Sequence, residues 1–221
     1  AHAVGLLLLP FVRDMIRGPT PLHLIEKPTP GTGATLLAEV LAIPSLGHAA
    51  VPIPETTSED EWRKRITSLL ITSPRMVVFD NITRRLLSPS LCTALTSTIW
   101  EDRLLGRSQT VQVKNRCAWV ATGNNPTMSN EVARRTISIR LDARLDQPWA
   151  RTEFQHPDLP GWATENRSAL VWACCTLIQS WDAGGRLSLG HDVEAMGGFE
   201  EWRRIIGGIL ANAGIPGFLA N

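Results

Sequence analysis

The run Lys27-Pro28-Thr29-Pro30-Gly31-Thr32-Gly33-Ala34-Thr35 has the residue types of an anion cradle. It follows a short apolar run, Leu22 to Ile25, and precedes a helical pattern, Leu36 to Leu41. Strand, glycine loop and helix make the setting in which backbone N–H groups and a helix N-terminus face a phosphate. Gly31 and Gly33 let the backbone curl with no side chain in the way. Thr35 stands where a hydroxyl helps to hold Mg²⁺. The usual pattern is G-x-x-x-x-G-K-[ST]; here Pro28 replaces the first glycine and Ala34 the lysine. That lysine ordinarily neutralises the β- and γ-phosphates. Its charge must therefore come from elsewhere, and Lys27 is nearest in sequence. An ordinary strand-to-helix turn rich in Pro and Gly would carry the same residues without a ligand.

A second chemical feature closes the run Arg75-Met76-Val77-Val78-Phe79-Asp80-Asn81. A continuous apolar stretch of this length suits a buried parallel strand, and ligands of open α/β sheets lie at the carboxyl ends of the strands. Asp80 is placed there to orient a Mg²⁺-bound water. Asn81 follows where nucleotide-hydrolysing folds commonly carry a Glu as general base. An amide can position a water but cannot take its proton. The plain alternative is an Asp that ends a strand as a turn residue.

Further along, Gln109 to Val113 alternates and Cys117 to Thr122 is apolar, with Lys114-Asn115-Arg116 between them at turn-like spacing. The spacing predicts either a hairpin with a basic tip suited to nucleic-acid phosphates or a solvated turn. The second apolar run leads into Gly123-Asn124-Asn125-Pro126, where an amide can reach a γ-phosphate or its attacking water; the same residues are also common turn formers. Arg134 and Arg135 precede a strand-like stretch, Thr136 to Leu141. They fit a phosphate contact in a neighbouring subunit or an ion pair with Glu131 or Asp142.

The chain has 221 residues, 43% of them hydrophobic, and a formal charge of +1. This is a globular composition, with room for an α/β core and a small second domain. No global basic field exists, so any nucleic-acid contact must be local. Lysine occurs only at 27, 64 and 114, and arginine carries the rest of the positive charge. Cys92, Cys117, Cys174 and Cys175 make no C-x-x-C pair, and the histidines have no ligand spacing, which argues against a metal cluster. The cysteines read as buried hydrophobes in a reducing, cytoplasmic setting. Leu6 to Leu9 is too short to span a membrane. The chain starts without Met, as expected of a piece of a longer protein.

Periodicity predicts a helix from Val4 to Ile16 bent at Pro10, a strand within Ala49 to Ile53, and a helix from Ser58 to Ile71 with Ser58 as N-cap. It predicts further helices over Pro89 to Trp100, Trp162 to Trp181 and Phe199 to Ala213. Gly207-Gly208 inside the last implies close helix packing. The tryptophans are expected as core and interface anchors. Gln147 to Pro160 is polar and proline-marked, and divides a nucleotide-binding core, 1–146, from a helical lid, 147–221.

Taken in order, these motifs resemble an AAA+ ATPase. Pro28 to Thr35 resembles that class's G-P-P-G-T-G-K-T, Val77 to Asn81 its Walker B strand, and Val120 to Asn125 its sensor 1. Arg134-Arg135 fits the arginine-finger region. Thr122 to Pro126, Ala133 to Arg135 and Ile139 to Asp142 look most like the ATPase modules of phage, plasmid and mobile-element primase-helicases, which resemble superfamily 3 helicases and carry a basic hairpin before sensor 1. The resemblance covers about Leu22 to the end. It implies an α/β P-loop NTPase core with flanking helices and a small helical C-terminal lid. It also implies a homo-oligomeric ring, usually a hexamer, that hydrolyses Mg-ATP and acts on single-stranded or forked DNA. By position, Lys27, Pro30, Gly31, Thr32, Gly33, Ala34, Thr35 and Leu36 would bind nucleotide, and Thr35 and Asp80 would hold Mg²⁺. Asn81, Asn124 and Asn125 would act on the attacking water and γ-phosphate, Arg134 and Arg135 in trans, and Lys114 and Arg116 on DNA. Ala34 and Asn81 depart from the pattern; Lys27 and Glu26 are the nearest substitutes for the missing charge and base.

Overall fold

Apolar runs with polar ends become the parallel strands of a computed structural model that describes residues 1–106, 108–188 and 196–220. Strands β1 (Leu22–Lys27), β2 (Pro52–Pro54), β3 (Met76–Ile82), β6 (Ala118–Asn124) and β7 (Thr136–Arg140) form one sheet in the order β2-β3-β6-β1-β7. Every pairing in it is parallel. The two prolines of β2 sit on an edge strand, where a missing N–H is tolerated.

Period-two alternation gives each strand two apolar faces. Ile25, Val78 and Val120 point into one core, with helices α1 (His2–Val12), α2 (Ala34–Leu46), α7 (Arg167–Ala183) and α8 (Glu200–Asn212). Leu22, Leu24, Phe79 and Trp119 point into the other, under α3 (Glu59–Ile71) and α4 (Pro89–Thr96). The fold is thus a three-layer α/β arrangement, a parallel sheet with helices on both faces. The Ser58 hydroxyl caps α3 by accepting from the Glu61 N–H at 3.3 Å. Trp202, Ile205, Ile206, Ile209 and Leu210 of α8 are buried. A Cβ on Gly208 would lie 2.6 Å from both the Leu187 carbonyl oxygen and Trp181 Nε1, so the helix approaches as closely as its glycines imply.

The structure corrects several boundaries. The first helix ends at Val12 and passes through a 3₁₀ turn, Arg13–Met15. Helix α4 stops at Thr96, and Ile99 and Trp100 begin a strand, β4 (Ile99–Arg103). That strand pairs antiparallel with β5 (Thr110–Lys114), Ile99 opposite Lys114 and Arg103 opposite Thr110. The hairpin tip therefore lies between residues 103 and 110. Lys114-Asn115-Arg116 is the connector from this hairpin into the main sheet, because β6 finds its partners in β1 and β3. The long C-terminal helix is two, α6 (Leu159–Glu165) and α7, split at Asn166, whose amide donates to the Trp162 carbonyl at 2.9 Å. A side chain that bonds its own helix backbone competes with helix continuation. On α7 only Cys174 and Trp181 are fully buried, while Leu170, Val171, Leu177 and Ile178 are half-buried and Trp172 is exposed.

Candidate functional site

The carboxyl ends of β1, β3 and β6 meet at one edge of the sheet, as parallel pairing requires. Lys27 lies opposite Asn124, and Asp80 lies opposite Pro54 at the end of β2. From Lys27 the chain turns through residues 28–33 into α2. Gly31 and Gly33 take φ of 77° and 92°, a left-handed backbone that L side chains rarely adopt. Trp149, in a 3₁₀ turn spanning Pro148–Ala150, lies against Gly31; a Cβ there would stand 3.0 Å from that of Trp149. The Thr32 hydroxyl closes the loop by donating to the Thr29 carbonyl at 2.6 Å. Gly33 is the N-cap of α2 and offers no side-chain cap. The first-turn N–H groups of this 13-residue helix thus have no capping side chain, and they lie at the positive end of its dipole.

Two hydroxyls converge on Asp80. Thr35 Oγ1 donates to Asp80 Oδ1 at 2.7 Å, and Thr122 Oγ1 donates to the same oxygen at 2.6 Å. Thr122 Oγ1 also accepts from the Asn81 N–H at 2.9 Å. Thr122 is fully buried, and its hydroxyl both donates and accepts. The sequence reading missed it, because a Thr inside an apolar strand reads as β-branched filler. The available signal was its place two residues before the end of β6, level with Ile25 of β1.

Asn81 has φ of 54°, the register of β3 shifts between Phe79 and Ile82, and the residue is exposed. The amides at 124 and 125 hold the loop. With its NH₂ group turned toward the loop, Asn124 donates to the carbonyls of Lys27 at 2.7 Å and Pro28 at 3.0 Å. The Asn125 N–H donates to the Lys27 carbonyl at 3.1 Å and its side chain to Pro28 at 3.4 Å. Ala34 is fully buried in the core on the α2 side, so a lysine stem at this position would begin inside packed side chains. Lys27 ends β1 on the face of Ile25, which α2 covers. Leu36 is exposed in the first turn of α2. Glu26 belongs to the other neighbour: Ser138 Oγ donates to it at 2.9 Å, and Arg140 stands 3.6 Å away. It therefore faces β7, away from Asp80.

Arg134 and Arg135 follow helix α5 (Asn130–Ala133) and lie at the opposite edge of the sheet. The Leu22 N–H donates to the Arg135 carbonyl, and Lys27 lies five residues further along β1, about 17 Å at strand rise. Neither arginine reaches its own glycine loop. Both pair with Glu131, at 2.5 and 2.8 Å, and these arginines hold the Glu131 carboxyl below its ordinary range, the hydrogen bond from Arg135 foremost.

Residues 114–116 scatter. Lys114 is exposed at the base of the hairpin. Asn115 is buried and donates to the carbonyls of Ala94 at 2.5 Å and Ser97 at 3.0 Å, closing the end of α4. Arg116 pairs with Asp14 at 2.6 Å. The projecting element is the β4–β5 hairpin itself. Trp100 Nε1 donates to Thr67 Oγ1 at 2.9 Å, and that hydroxyl donates to Asp102 Oδ2 at 2.6 Å, which anchors the hairpin on α3. Beside its tip, where Leu105 is 81% exposed, opens a cleft of about 610 Å³ lined in part by Arg63, Lys64 and Arg103.

Among the described residues no group of His, Cys, Asp or Glu is arranged as a metal cluster, and no helix is long and apolar enough to cross a membrane. No protein-family model matches the sequence, and no curated protein matches it. Among solved structures, a JCV helicase bound to a thiazolopyridine acetamide is similar, at 12% identity over 81% of this chain and 54% of that one, with a TM-score of 0.44. The NrS-1 C-terminal region is similar at 16% identity over 82% and 50%, TM-score 0.47. SCCmec type IV Cch, described as an active helicase, is similar at 14% identity over 99% and 44%, TM-score 0.42. The chain spans about half the length of these structures.

Proposed function

We propose that this chain is an ATP-driven DNA translocase or helicase module, of the kind used in replication of a phage, plasmid or mobile element. The observation that carries the reading is the meeting of Thr35, Asp80 and Thr122 beside an uncapped helix N-terminus and a loop with two left-handed glycines. Backbone N–H groups from Gly31 to Leu36 would receive the phosphates. The Thr35 hydroxyl and Asp80 would hold Mg²⁺, which supplies positive charge against the phosphate oxygens. Thr122 keeps Asp80 in place, and Asn124 and Asn125 fix the loop's curvature through its carbonyls. Lys27 and a neighbour's arginines would supply the charge that Ala34 does not. With Arg134 and Arg135 about 17 Å from their own loop, they would act on the next subunit, which calls for a homo-oligomeric ring, a hexamer by resemblance. Residues 147–221 would serve as the lid, and the setting would be the cytoplasm.

For DNA, the hairpin tip with Arg103 and the Arg63–Lys64 cleft replaces Lys114 and Arg116 as the contact to single-stranded or forked DNA. The test is ATP hydrolysis by the assembled protein with and without single-stranded DNA. DNA-stimulated turnover is expected, and a well-assembled ring with no turnover in either condition ends the motor reading. A second reading is an oligomeric scaffold that binds nucleotide or DNA without hydrolysis. An amide at Asn81, where a carboxylate is usual, and the buried Ala34 favour it, and it predicts nucleotide binding with no phosphate release.

A further inference from the structure

The proposed hydrolysis lacks a base, because Asn81 stands where a carboxylate is usual. We propose that Glu55 is that base. Glu55 directly follows β2, whose last residue, Pro54, lies opposite Asp80. Neighbouring strands are about 4.8 Å apart, so a glutamate arm starting here reaches the space in front of Asp80. That space is a cavity of about 420 Å³ lined by Pro52, Pro54, Glu55, Asp80, Asn81 and Thr83. Among the described residues Glu55 is therefore the one further carboxylate lining the pocket that Asp80 and Asn81 line. Glu26, the alternative nearest the loop in sequence, is turned to Ser138 and Arg140.

The Glu55 carboxylate is held rather than loose. Its Oε2 accepts from the Thr83 N–H at 2.6 Å and the Arg84 N–H at 3.3 Å. Its Oε1 accepts from Thr83 Oγ1 at 3.2 Å and faces Arg84 Nε at 3.7 Å. The side chain is 15% exposed, so it is fixed yet open to a water in the cavity. The one short bond, 2.6 Å, falls on Oε2, while Oε1 has contacts of 3.2 and 3.7 Å and is the oxygen available to a proton. The left-handed backbone at Asn81 fits the same scheme, since it breaks the β3 pleat beside the cavity and leaves Asn81 to orient the water that Glu55 deprotonates.

The proposal rests on the hydrolysis reading above. In the step, Glu55 takes one proton from a water as that water's oxygen bonds to the γ-phosphorus. The bond from that phosphorus to the β–γ bridging oxygen breaks, its electron pair leaves with ADP, and the proton passes from Glu55 to the phosphate product or to solvent. Glu55→Gln keeps an acceptor for the Thr83 N–H but cannot take the proton. It is expected to lower kcat by at least about 100-fold, within the range of general-base catalysis. Binding of a fluorescent ATP analogue with Mg²⁺ and the thermal midpoint should stay close to wild type. Asn81→Glu in the Glu55→Gln background is expected to restore at least about tenfold of the loss, because it places a carboxylate beside the same cavity.

The same assay separates the two claims. Wild-type turnover that persists in Glu55→Gln overturns the role of Glu55 and leaves the hydrolysis reading intact. Loss of nucleotide binding or of the thermal midpoint in Glu55→Gln, without rescue by Asn81→Glu, assigns Glu55 to holding the Thr83–Arg84 turn and also overturns the proposal. Absence of turnover in wild type, with nucleotide bound, overturns both claims.

Discussion

The edge of the sheet at Asp80 and the connector at 114–116 started as similar expectations, polar residues in suggestive order, and the structure treats them oppositely. At the sheet edge, Thr35, Asp80 and Thr122 come from a helix and two strands and meet on one oxygen. In the connector, three consecutive polar residues part: Lys114 to solvent, Asn115 into the end of α4, Arg116 to Asp14. The difference lies in topology. Parallel strands joined by helices must end on the same edge, so residues far apart in sequence converge whenever each follows an apolar run. Consecutive polar residues have no such constraint. Their directions depend on which strand pairs with which, and β5 pairs backward with β4 rather than forward with β6.

The comparison breaks most readily at the carboxylate. Asp80→Ala is expected to lower ATP turnover by about 100-fold or more, as for loss of a fixed electrostatic group, measured as phosphate release. Thr122→Val keeps the shape but removes a donor to Asp80 and leaves the Asn81 N–H unpaired; a loss of about 10- to 100-fold in Mg-nucleotide affinity follows for a supporting hydrogen bond of this kind. In the connector, Asn115→Ala is expected to cost about 1–3 kcal/mol of stability, because carbonyls at the end of α4 lose their buried donor. Denaturant melts should read that loss while DNA affinity per folded molecule stays unchanged. Arg116→Ala should change stability by about 1 kcal/mol or less, the worth of an exposed ion pair.

A pH test probes the other end of β1, on the face that also carries Ile25 and Lys27. Burial holds His23 down to about 3, with His2 adding to the effect, and the ring packs edge-on to Trp202 at 5.9 Å. The unfolded chain therefore binds a proton between about pH 6.5 and 3 that the folded chain refuses. Stability should fall as pH drops through that window, by about 2 kcal/mol between pH 7 and pH 5. His23→Phe should flatten the slope.

How much of this the sequence could tell follows from the same contrast. Strands β1, β3 and β6 were legible because continuous apolar runs end in polar residues, and α3 because Ser58 and the acids after it mark its start. Strand β4 was not, since Ile99-Trp100-Glu101-Asp102-Arg103 alternates on a small outlying sheet that buries only Trp100. Position alone could bring Thr35 and Asp80 to one edge. It could not show that Asn124 would turn its amide to the loop carbonyls, which local hydrogen bonding decides.

On the proposed function, the residues that meet at Asp80 bind Mg-nucleotide. The most direct measurement is titration with a fluorescent ATP analogue, with and without Mg²⁺, comparing wild type with Asp80→Ala. Binding that strengthens with Mg²⁺ in wild type and weakens at least about tenfold in the variant, whose thermal midpoint is unchanged, is the predicted result. Equal affinities in both proteins, with no response to Mg²⁺, would contradict it.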